Sequence, residues 1–329
     1  MQNAHLNTLA TVTEASDIAK GIRRFRFKLE GDTVSLAAGA HVTFALETPN
    51  GAIERSYSVV DDGYVPDHLT ISVKLERASR GGSRHMWSLQ VGDTVRIIGN
   101  DNSMPVSYGG SDYVLLAGGI GVTPMTGIAR ALCKTGKSLR MIYCARSPEE
   151  AAYADILSDL LGARLTMIYD MAGDRLDIDT LVAGLSRSTL LYMCGPAGLM
   201  DAVKSAWSAH ALPPQNLRYE TFGNSGTRAT RKFSVLVEET GRTVEVPEDS
   251  SLLDALLASG HDMLSDCRKG ECGLCKVGVL QSDGEIDHRD VFLSPREREA
   301  RDCMCACVSR LSGDGVRIRI DGIQHGRAS

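Results

Sequence analysis

The sequence is poor in aromatic residues and has no long hydrophobic run. Aromatic side chains make up 5% of the 329 residues, which argues against one large aromatic core. No apolar stretch approaches the roughly 20 residues that a transmembrane helix needs. The first residues also lack the charged and then apolar layout of a secretory signal peptide. We therefore expect a cytoplasmic protein that crosses no membrane.

An excess of basic residues is also missing. The formal net charge is −5, and no stripe of lysine and arginine indicates a nucleic-acid surface. No basic amphipathic helix indicates a membrane surface either. The residues from Phe233 onward carry 12 Lys and Arg against 18 Asp and Glu, so the C-terminal part is the acidic one. We expect neither nucleic acid nor a membrane among the partners.

Glycine and cysteine are abundant instead. Glycine accounts for 33 of the 329 residues, above the usual share of about 7%. Six of the nine cysteines crowd the last quarter of the chain: Cys267, Cys272, Cys275, Cys303, Cys305 and Cys307. In an intracellular chain such a cluster favours a metal site over disulfides. Length and composition together indicate two or three domains, the last of which binds metal.

Residues 1–106 form the first predicted domain. Short runs of alternating apolar and polar residues, such as Arg24–Leu29 and Leu69–Lys74, are separated by Gly, Asp and Pro. This period of two predicts an antiparallel sheet or a small β-barrel. One short helix is predicted over Ser83–Leu89.

Residues 107–223 form the second predicted domain, in which strands and helices alternate. The apolar run Tyr113–Ala117 predicts a strand buried on both faces. A helix should follow over Met125–Lys134, with Thr123 as its N-cap and Pro124 at its first position. Further strands are predicted at Leu139–Ala145, Leu165–Asp170 and Thr189–Cys194. The alternation predicts a parallel, doubly wound α/β sheet.

A polar linker over residues 224–232 leads into the last predicted domain, residues 233–329. The alternating runs Phe233–Val237 and Thr243–Val246 predict a hairpin. A helix over Ser250–Ser259, the cysteine-rich loop and a final strand at Val316–Ile320 complete this domain.

The most specific motif is a C-x4-C-x2-C spacing formed by Cys267, Cys272 and Cys275. This is the spacing of a plant-type [2Fe–2S] cluster loop, in which Gly270 and Gly273 let the backbone curl close to the sulfides. A structural zinc site would usually show a second C-x2-C pair, and the sequence has none. We therefore predict an iron–sulfur cluster.

The fourth cluster ligand is open between two cysteines. Spacing alone slightly favours Cys305, whereas the distance to the final strand favours Cys307. We choose Cys307, which leaves Cys303 and Cys305 as buried thiols.

Two glycine-containing turns predict a dinucleotide site. Gly118, Gly119 and Gly121 lie between a buried strand and a helix, where a backbone can approach a pyrophosphate. The sequence Cys194-Gly195-Pro196 forms a second turn from strand to helix. Both turns should face one crevice at the carboxyl ends of the strands.

A third group of residues suits a phosphate. Arg55-Ser56-Tyr57-Ser58 is followed by Val73-Lys74 and by Gly81-Gly82-Ser83, which opens the predicted short helix. A guanidinium group and a glycine-rich helix start can both bind an anion. Taken alone, the first of these segments is only an alternating strand.

These motifs, in this order, resemble the phthalate dioxygenase reductase family over essentially the whole chain. The resemblance implies a multidomain fold: an antiparallel β-barrel flavin domain, an α/β nucleotide domain and a ferredoxin-like α+β domain of the β-grasp type. It also implies FMN, NADH, one [2Fe–2S] cluster and, as partner, a terminal oxygenase of the Rieske type. A monomer is the default expectation.

The resemblance further implies roles for individual residues. Arg55, Gly82 and Ser83 would hold the flavin phosphate, while Tyr57 and Ser58 would lie along the flavin, with Ser58 near its reactive N5. Residues implied at or near the nicotinamide and the catalytic centre are Gly121, Thr123 and Cys194. Phe222 would cover the flavin. The cysteines Cys267, Cys272, Cys275 and Cys307 would hold the cluster.

The sequence departs from the usual pattern of an NADH site at one position. Arg146-Ser147 follows a predicted strand at the position where an acidic residue usually binds the ribose 2′-hydroxyl of NADH. We expect NADH, although serine beside arginine could also accommodate the additional phosphate of NADPH. Two other functions are considered: an FAD-dependent reductase for a diiron or haem monooxygenase, and an iron–sulfur redox sensor without turnover.

Overall fold

The computed structural model describes residues 6–31, 36–48, 51–61, 67–76, 81–222, 231–248 and 250–320. Its chain divides into two compact units, residues 1–220 and 221–329. Among the described residues, none of the helices has the length and apolar character needed to span a membrane.

The first sheet of the first unit is an antiparallel barrel. Its strands are β1 (Thr8–Ala19), β2 (Ile22–Leu29), β3 (His41–Thr48), β4 (Gly51–Ser58), β5 (His68–Lys74) and β6 (Thr94–Asp101). They lie in the order β4-β3-β6-β1-β2-β5, and a bridge between Val59 and Ile71 joins the two ends. Alternating apolar side chains fill the interior, where the rings of Phe27 and Phe44 lie 5.4 Å apart. The helix α1 (Gly82–Ser88) lies between β5 and β6 in the chain, close to the predicted Ser83–Leu89.

The second sheet of the first unit is parallel, as predicted. Its strands are β7 (Asp112–Gly118), β8 (Ser138–Ala145), β9 (Leu165–Tyr169), β10 (Thr189–Cys194) and β11 (Leu217–Glu220), in the order β11-β10-β7-β8-β9. The chain reverses its direction of progress between β7 and β10, so their carboxyl ends form the topological switch point. Four helices connect the strands: α2 (Val122–Cys133), α3 (Ala154–Leu161), α4 (Ile178–Ala183) and α5 (Ala197–Ala209).

The predicted start of helix α2 is wrong. The helix begins at Val122, with Gly121 as the N-cap, and Pro124 is its third residue rather than its first. The cause is a 3₁₀ turn at Gly119–Gly121 that continues directly into the helix. The Thr123 hydroxyl therefore donates to the carbonyl of Ile120 at 2.9 Å instead of capping the helix.

The barrel and the parallel sheet belong to one compact unit and are hydrogen-bonded to each other. The Ser72 and Tyr153 hydroxyls are hydrogen-bonded at 2.5 Å, and Lys20 donates its backbone N–H to the Glu149 carbonyl at 2.7 Å. The predicted domain boundary between residues 106 and 107 lies inside this unit, in the connection from β6 to β7, and stays a prediction. The predicted linker falls mostly on residues 223–230, outside the described residues.

The second unit has a β-grasp sheet. Its strands are β12 (Phe233–Val237), β13 (Arg242–Val246), β14 (Lys276–Ser282), β16 (Cys303–Cys305) and β18 (Gly315–Arg319), in the order β13-β12-β18-β14-β16. β12 and β18 are parallel, and the other pairs are antiparallel. The remaining elements are the helices α6 (Leu252–Ala258) and α7 (Pro295–Ala300) and the small ladder of β15 (Ile286–Asp287) with β17 (Arg310–Leu311). The hairpin β12–β13 confirms the predicted one.

Candidate functional site: a flavin barrel, a nucleotide crevice and a cysteine loop

Arg55 and Gly82 are in direct contact. A Cβ atom added at Gly82, the first residue of α1, would lie 2.6 Å from the Nε atom of Arg55. The glycine therefore leaves room for the guanidinium group to lie over the start of the helix. Ser83 is fixed nearby, because its Oγ atom accepts a hydrogen bond from the backbone N–H of Glu76 at 3.2 Å. A cationic group beside a glycine-rich helix start suits a phosphate.

The end of strand β4 presents a buried hydroxyl without a protein partner. Ser58 is 4% exposed, and within the described residues its Oγ atom has no hydrogen bond. An unsatisfied buried hydroxyl is costly, so a bound group that pairs with it would stabilise this site. The neighbouring Ser56 hydroxyl is instead paired with that of Thr43 at 2.9 Å. Ser58 therefore fits a cofactor heteroatom at this end of the barrel.

Tyr57 and the residues of strand β5 frame the same region. The Tyr57 ring packs edge-on against Phe44 at 5.9 Å, and burial raises the pKa of its hydroxyl. The carbonyl of Val73 accepts a hydrogen bond from the Trp87 indole at 3.0 Å, which holds α1 against the end of β5. Lys74 ends this strand and is exposed.

The two predicted turns of the parallel sheet meet. A Cβ atom added at Gly121 would lie 2.2 Å from the carbonyl oxygen of Cys194, and one at Gly118 would lie 2.6 Å from the Cδ atom of Pro196. Both distances are shorter than real Cβ contacts, so only glycine allows this approach. Gly119 and Gly195 complete the two turns, and Gly119 has a positive φ of 53°. The two predicted turns thus lie side by side at the switch point, and a nucleotide site there stays a prediction.

The crevice lies beside the barrel within the first unit. Strand β5 lies against the Gly119–Gly121 turn, and the Thr126 hydroxyl of α2 accepts a hydrogen bond from the Asp61 N–H at 3.3 Å. Arg130 of the same helix pairs with the Asp61 carboxylate at 3.4 Å. A ligand in the crevice and one at the end of β4 or β5 would thus be neighbours, as hydride transfer requires.

Arg146 and Ser147 follow strand β8 directly. The carbonyl of Arg146 accepts a hydrogen bond from the Met171 N–H at 2.9 Å, which joins the loops that follow β8 and β9. The Ser147 hydroxyl hydrogen-bonds to the Glu149 carboxylate and lowers its pKa. Glu149 therefore supplies a carboxylate two residues after Ser147, whereas Arg146 and Ser147 occupy the position where an acidic residue is usual.

The cysteine side chains form two groups of sulfur atoms. Cys267 and Cys272 are hydrogen-bonded to each other, and Cys275 is hydrogen-bonded to both Cys305 and Cys307. The backbone N–H groups of Lys269, Glu271 and Cys272 all point at the Cys267 sulfur at 3.4 Å. In the described part of the chain, no three or more His, Cys, Asp or Glu side chains converge on one ion-sized position. A pair of thiols and a group of three fit a two-iron cluster, in which each iron takes two thiolates.

Two glycines allow the cysteine loop to pack closely against neighbouring side chains. Gly270 and Gly273 have φ values of 77° and 73°, which L-residues rarely adopt. A Cβ atom at Gly273 would lie 2.3 Å from the ring of Phe292, and one at Gly270 would lie 2.7 Å from Val308. Glycine is thus required at both positions for two reasons: the backbone has a positive φ, and a side chain would clash with its neighbours.

Cys305 and Cys307 both approach Cys275. Their thiols hydrogen-bond to the Cys275 sulfur and lower its pKa to about 3, which favours the thiolate that binds metal. Cys307 also interacts with Cys267 and with the backbone of Gly270, so it faces the loop on both sides. Cys305 is completely buried in β16. Both cysteines thus lie beside Cys275, and the choice of Cys307 as the fourth ligand stays a prediction.

One buried pair has no signal in the sequence. His41 begins β3 and Glu220 ends β11, and their Nδ1 and Oε1 atoms lie 3.1 Å apart. Glu220 is 1% exposed and His41 is 6% exposed. His41 faces Ser58 across the β3–β4 ladder. Only the fold brings these distant positions together.

Comparison with known proteins agrees with this architecture. Family models for an oxidoreductase FAD-binding domain, an oxidoreductase NAD-binding domain and a 2Fe-2S iron-sulfur cluster binding domain match residues 9–104, 115–205 and 235–312. The heme-dependent oxidative N-demethylase beta subunit of Ectopseudomonas mendocina is 33% identical over 95% of this chain and 99% of its own.

The solved structure of phthalate dioxygenase reductase aligns with a TM-score of 0.75 and 29% identity, covering 95% of this chain and 98% of that one. The chain belongs to the phthalate dioxygenase reductase family. It also aligns with a type IV self-sufficient cytochrome P450 monooxygenase, with a TM-score of 0.65 and 33% identity. That alignment covers 95% of this chain but 41% of the cytochrome P450 chain.

As a member of the phthalate dioxygenase reductase family, the chain is an oxidoreductase that uses a flavin, a nicotinamide dinucleotide and a [2Fe–2S] cluster. The flavin model covers the barrel, the nucleotide model covers the parallel sheet, and the cluster model covers the β-grasp unit. The predicted fold class is confirmed. Phe222 is half-buried and belongs to the second unit, and its predicted place over the flavin stays a prediction.

Proposed function

We propose that this protein is the reductase component of an oxygenase system and delivers electrons from NADH to a separate terminal oxygenase, with Rieske-type oxygenases as the first candidates. The observation that carries the proposal is the presence of all three redox modules in one chain, in the order found in phthalate dioxygenase reductase. When bound, the flavin accepts hydride from NADH and the cluster carries single electrons. The oxygenase substrate never meets this chain.

We further propose FMN as the flavin. Arg55, Gly82 and Ser83 would bind its phosphate, while Ser58 would hydrogen-bond the ring system and Tyr57 would pack along it. The buried Ser58 hydroxyl, which has no hydrogen-bond partner in the described part of the chain, supports this placement. Acid release of the flavin followed by chromatography separates FMN from FAD, and recovery of FAD would overturn this assignment.

The nucleotide would bind in the crevice between the Gly118–Gly121 turn and Cys194, with Thr123 and Pro124 at the helix start. The chain's own residues would orient the nicotinamide, because the glycines bring the backbones of the two turns together at this place. We propose NADH as the donor, with the ribose near Arg146 and Ser147. The ratio of kcat/KM for NADH and NADPH tests this choice, and a ratio below one would reverse it.

We propose Cys267, Cys272, Cys275 and Cys307 as the cluster ligands. The contacts of Cys307 with both sides of the loop support it over Cys305. A matched pair of variants tests the assignment. We expect Cys307→Ser to lose the native cluster spectrum, and Cys305→Ser to retain it. The reverse outcome would make Cys305 the ligand.

An anaerobic NADH titration followed by absorbance and electron paramagnetic resonance tests the whole route. We expect NADH to reduce both the flavin and the cluster, and the protein to reduce cytochrome c with turnover. Cys272→Ser should retain NADH–ferricyanide activity and lose cluster-dependent cytochrome c reduction. If this variant supports oxygenase turnover as well as the native protein does, the proposed route is wrong. Intact cofactors without any turnover would instead indicate a redox sensor.

A haem-containing oxygenase is the second candidate partner. The similarity to the heme-dependent oxidative N-demethylase beta subunit and to a cytochrome P450 monooxygenase favours it. Reconstitution of NADH-driven product formation with purified Rieske and haem oxygenases distinguishes the two. Gel filtration of the reductase alone tests the expected monomer.

A further inference from the structure

Asp290 is a buried carboxylate beside the cysteine loop of the second unit. Its side chain is 0% exposed, although acidic residues are seldom fully buried. The backbone N–H of Leu293 donates to its Oδ2 atom at 2.8 Å, and the Ser309 hydroxyl donates to its Oδ1 atom at 3.3 Å. The basic side chains of His288 and Arg298 lie 3.7 and 3.9 Å from the carboxylate oxygens. Two neutral donors thus hold the carboxylate, and the basic groups lie farther away.

These neighbours keep Asp290 ionised. Burial alone would raise the pKa of the carboxyl group. The His288 side chain, the N–H of Leu293 and the charge of Arg298 outweigh burial and hold that pKa below its usual range. Asp290 therefore carries a negative charge at neutral pH inside the second unit.

Asp290 lies between the two segments that carry the proposed cluster ligands. On one side it packs on Gly270 of the cysteine loop, where an added Cβ atom would lie 2.8 Å from the Asp290 Cα atom. The N–H of the next residue, Val291, donates to the Gly270 carbonyl at 3.0 Å. On the other side its carboxylate is bonded to Ser309, the second residue after Cys307. The charge is thus one contact away from both segments.

The charge of Asp290 already acts on one cysteine of this group. A hydrogen bond to Cys275, burial and the charge of Asp290 all raise the pKa of the Cys305 thiol, so negative charge is disfavoured there. Reduction of a [2Fe–2S] cluster adds one negative charge close to the same cysteines. A fixed carboxylate beside them disfavours that charge for the same Coulombic reason.

We propose that the buried carboxylate of Asp290 lowers the reduction potential of the [2Fe–2S] cluster and so makes the reduced cluster a stronger electron donor. The consequence for the partner rests on the proposed function. NADH supplies two electrons through the flavin and becomes NAD⁺, and the proton of the transferred hydride is released to water. Each electron converts one ferric iron of the cluster into ferrous iron, the second after the first has passed to the partner.

Three neutralising variants of the full-length holoprotein test the proposal. Asp290→Asn removes the charge and keeps an oxygen that can accept a hydrogen bond. Arg298→Gln removes a positive charge from the surroundings of the carboxylate. Glu245→Gln removes an exposed carboxylate of β13 and is the matched control. A mediated redox titration of each purified protein, followed by electron paramagnetic resonance, measures the cluster potential.

We expect Asp290→Asn to increase the ratio of reduced to oxidised cluster about tenfold at a given ambient potential, which for one electron corresponds to about 59 mV. Arg298→Gln should decrease this ratio severalfold, because the negative charge of Asp290 is then less compensated. Glu245→Gln should change it by less than about twofold, since water and salt screen an exposed charge. The resonance g-values of the reduced cluster should stay native in all three variants.

A native cluster potential in Asp290→Asn overturns the inference. Shifts of the same sign in Asp290→Asn and Arg298→Gln overturn it too, because a rearranged loop rather than a removed charge would then explain both. If Asp290→Asn fails to assemble its cluster, Arg298→Gln decides, and an unchanged or raised potential in that variant contradicts the proposal. The titration needs neither NADH nor a partner, so failure of the native protein to support an oxygenase would contradict the proposed function alone.

Discussion

The guanidinium group of Arg55 occupies the space that a side chain at position 82 would need. We expect Arg55→Ala to weaken flavin binding about ten- to a hundredfold, because a charge-assisted hydrogen bond to a phosphate contributes about 1.5–3 kcal/mol. The flavin-to-protein ratio after dilution and gel filtration measures the loss. Arg96→Ala, which removes an exposed arginine of β6, is the control. Full flavin retention in Arg55→Ala would show that another group holds the phosphate.

Gly121 carries the tightest contact of the nucleotide crevice. We expect Gly121→Ala to lower the free energy of unfolding by about 1–3 kcal/mol and to raise the KM for NADH, because the new Cβ must displace the Cys194 carbonyl. Gly184→Ala is the control, since its Cβ would meet only ordinary contacts of 3.5 Å and its φ is negative. Urea denaturation and steady-state kinetics measure the two effects. Equal behaviour of both variants would contradict the close approach.

At the residue scale, the sequence predicts the sites whose residues lie close together in the chain at a characteristic spacing. The spacing of Cys267, Cys272 and Cys275 indicated a cluster loop, and the glycines after β7 indicated a crevice. His41 with Glu220, and the Thr221 hydroxyl with the Glu271 carboxylate, carry no such signal. Their partners lie far apart in the chain, and only strand order and loop folding bring them into contact.

At the element scale, helix α6 depends on its cap. The Ser251 hydroxyl accepts a hydrogen bond from the Asp254 N–H at 3.0 Å and donates to the Asp254 carboxylate at 2.6 Å. We expect Ser251→Ala to lower the free energy of unfolding of the second unit by about 0.5–2 kcal/mol. Ser250→Ala, one residue earlier, should have a much smaller effect. Thermal denaturation of the holoproteins measures both, and equal midpoints would contradict the capping role.

Four of the five strands of the parallel sheet were predicted to within about one residue at each end, because buried parallel strands are continuous apolar runs in the sequence. The edge strand β11 was not predicted. The helix α7 and the short ladder of β15 with β17 were not predicted. A strand of two residues is too short to show alternation, and the six residues of α7 span fewer than two helical turns, with charged residues at most positions. The start of α2 was misplaced because a Thr-Pro pair is a familiar helix start, whereas the real one lies in the preceding turn.

At the scale of the whole molecule, the chain has two compact units with separate cores. We expect two thermal transitions in calorimetry, since units with separate cores unfold independently. Removal of iron by a chelator under reducing conditions should lower the midpoint of one transition only, and flavin depletion should lower that of the other. Fluorescence of the released flavin identifies the transition of the first unit. One transition that responds equally to both treatments would contradict independent units.

The bridge between Val59 and Ile71 is where the described ends of the barrel sheet join. Arg55, Tyr57 and Ser58 lie on β4, on one side of this bridge, while Val73 and Lys74 lie on β5, on the other side. A flavin bound to both sets of residues would hold the two edge strands together. Loading the cofactor and closing the barrel would then be one event, and the stability of the first unit would rise with the concentration of free flavin.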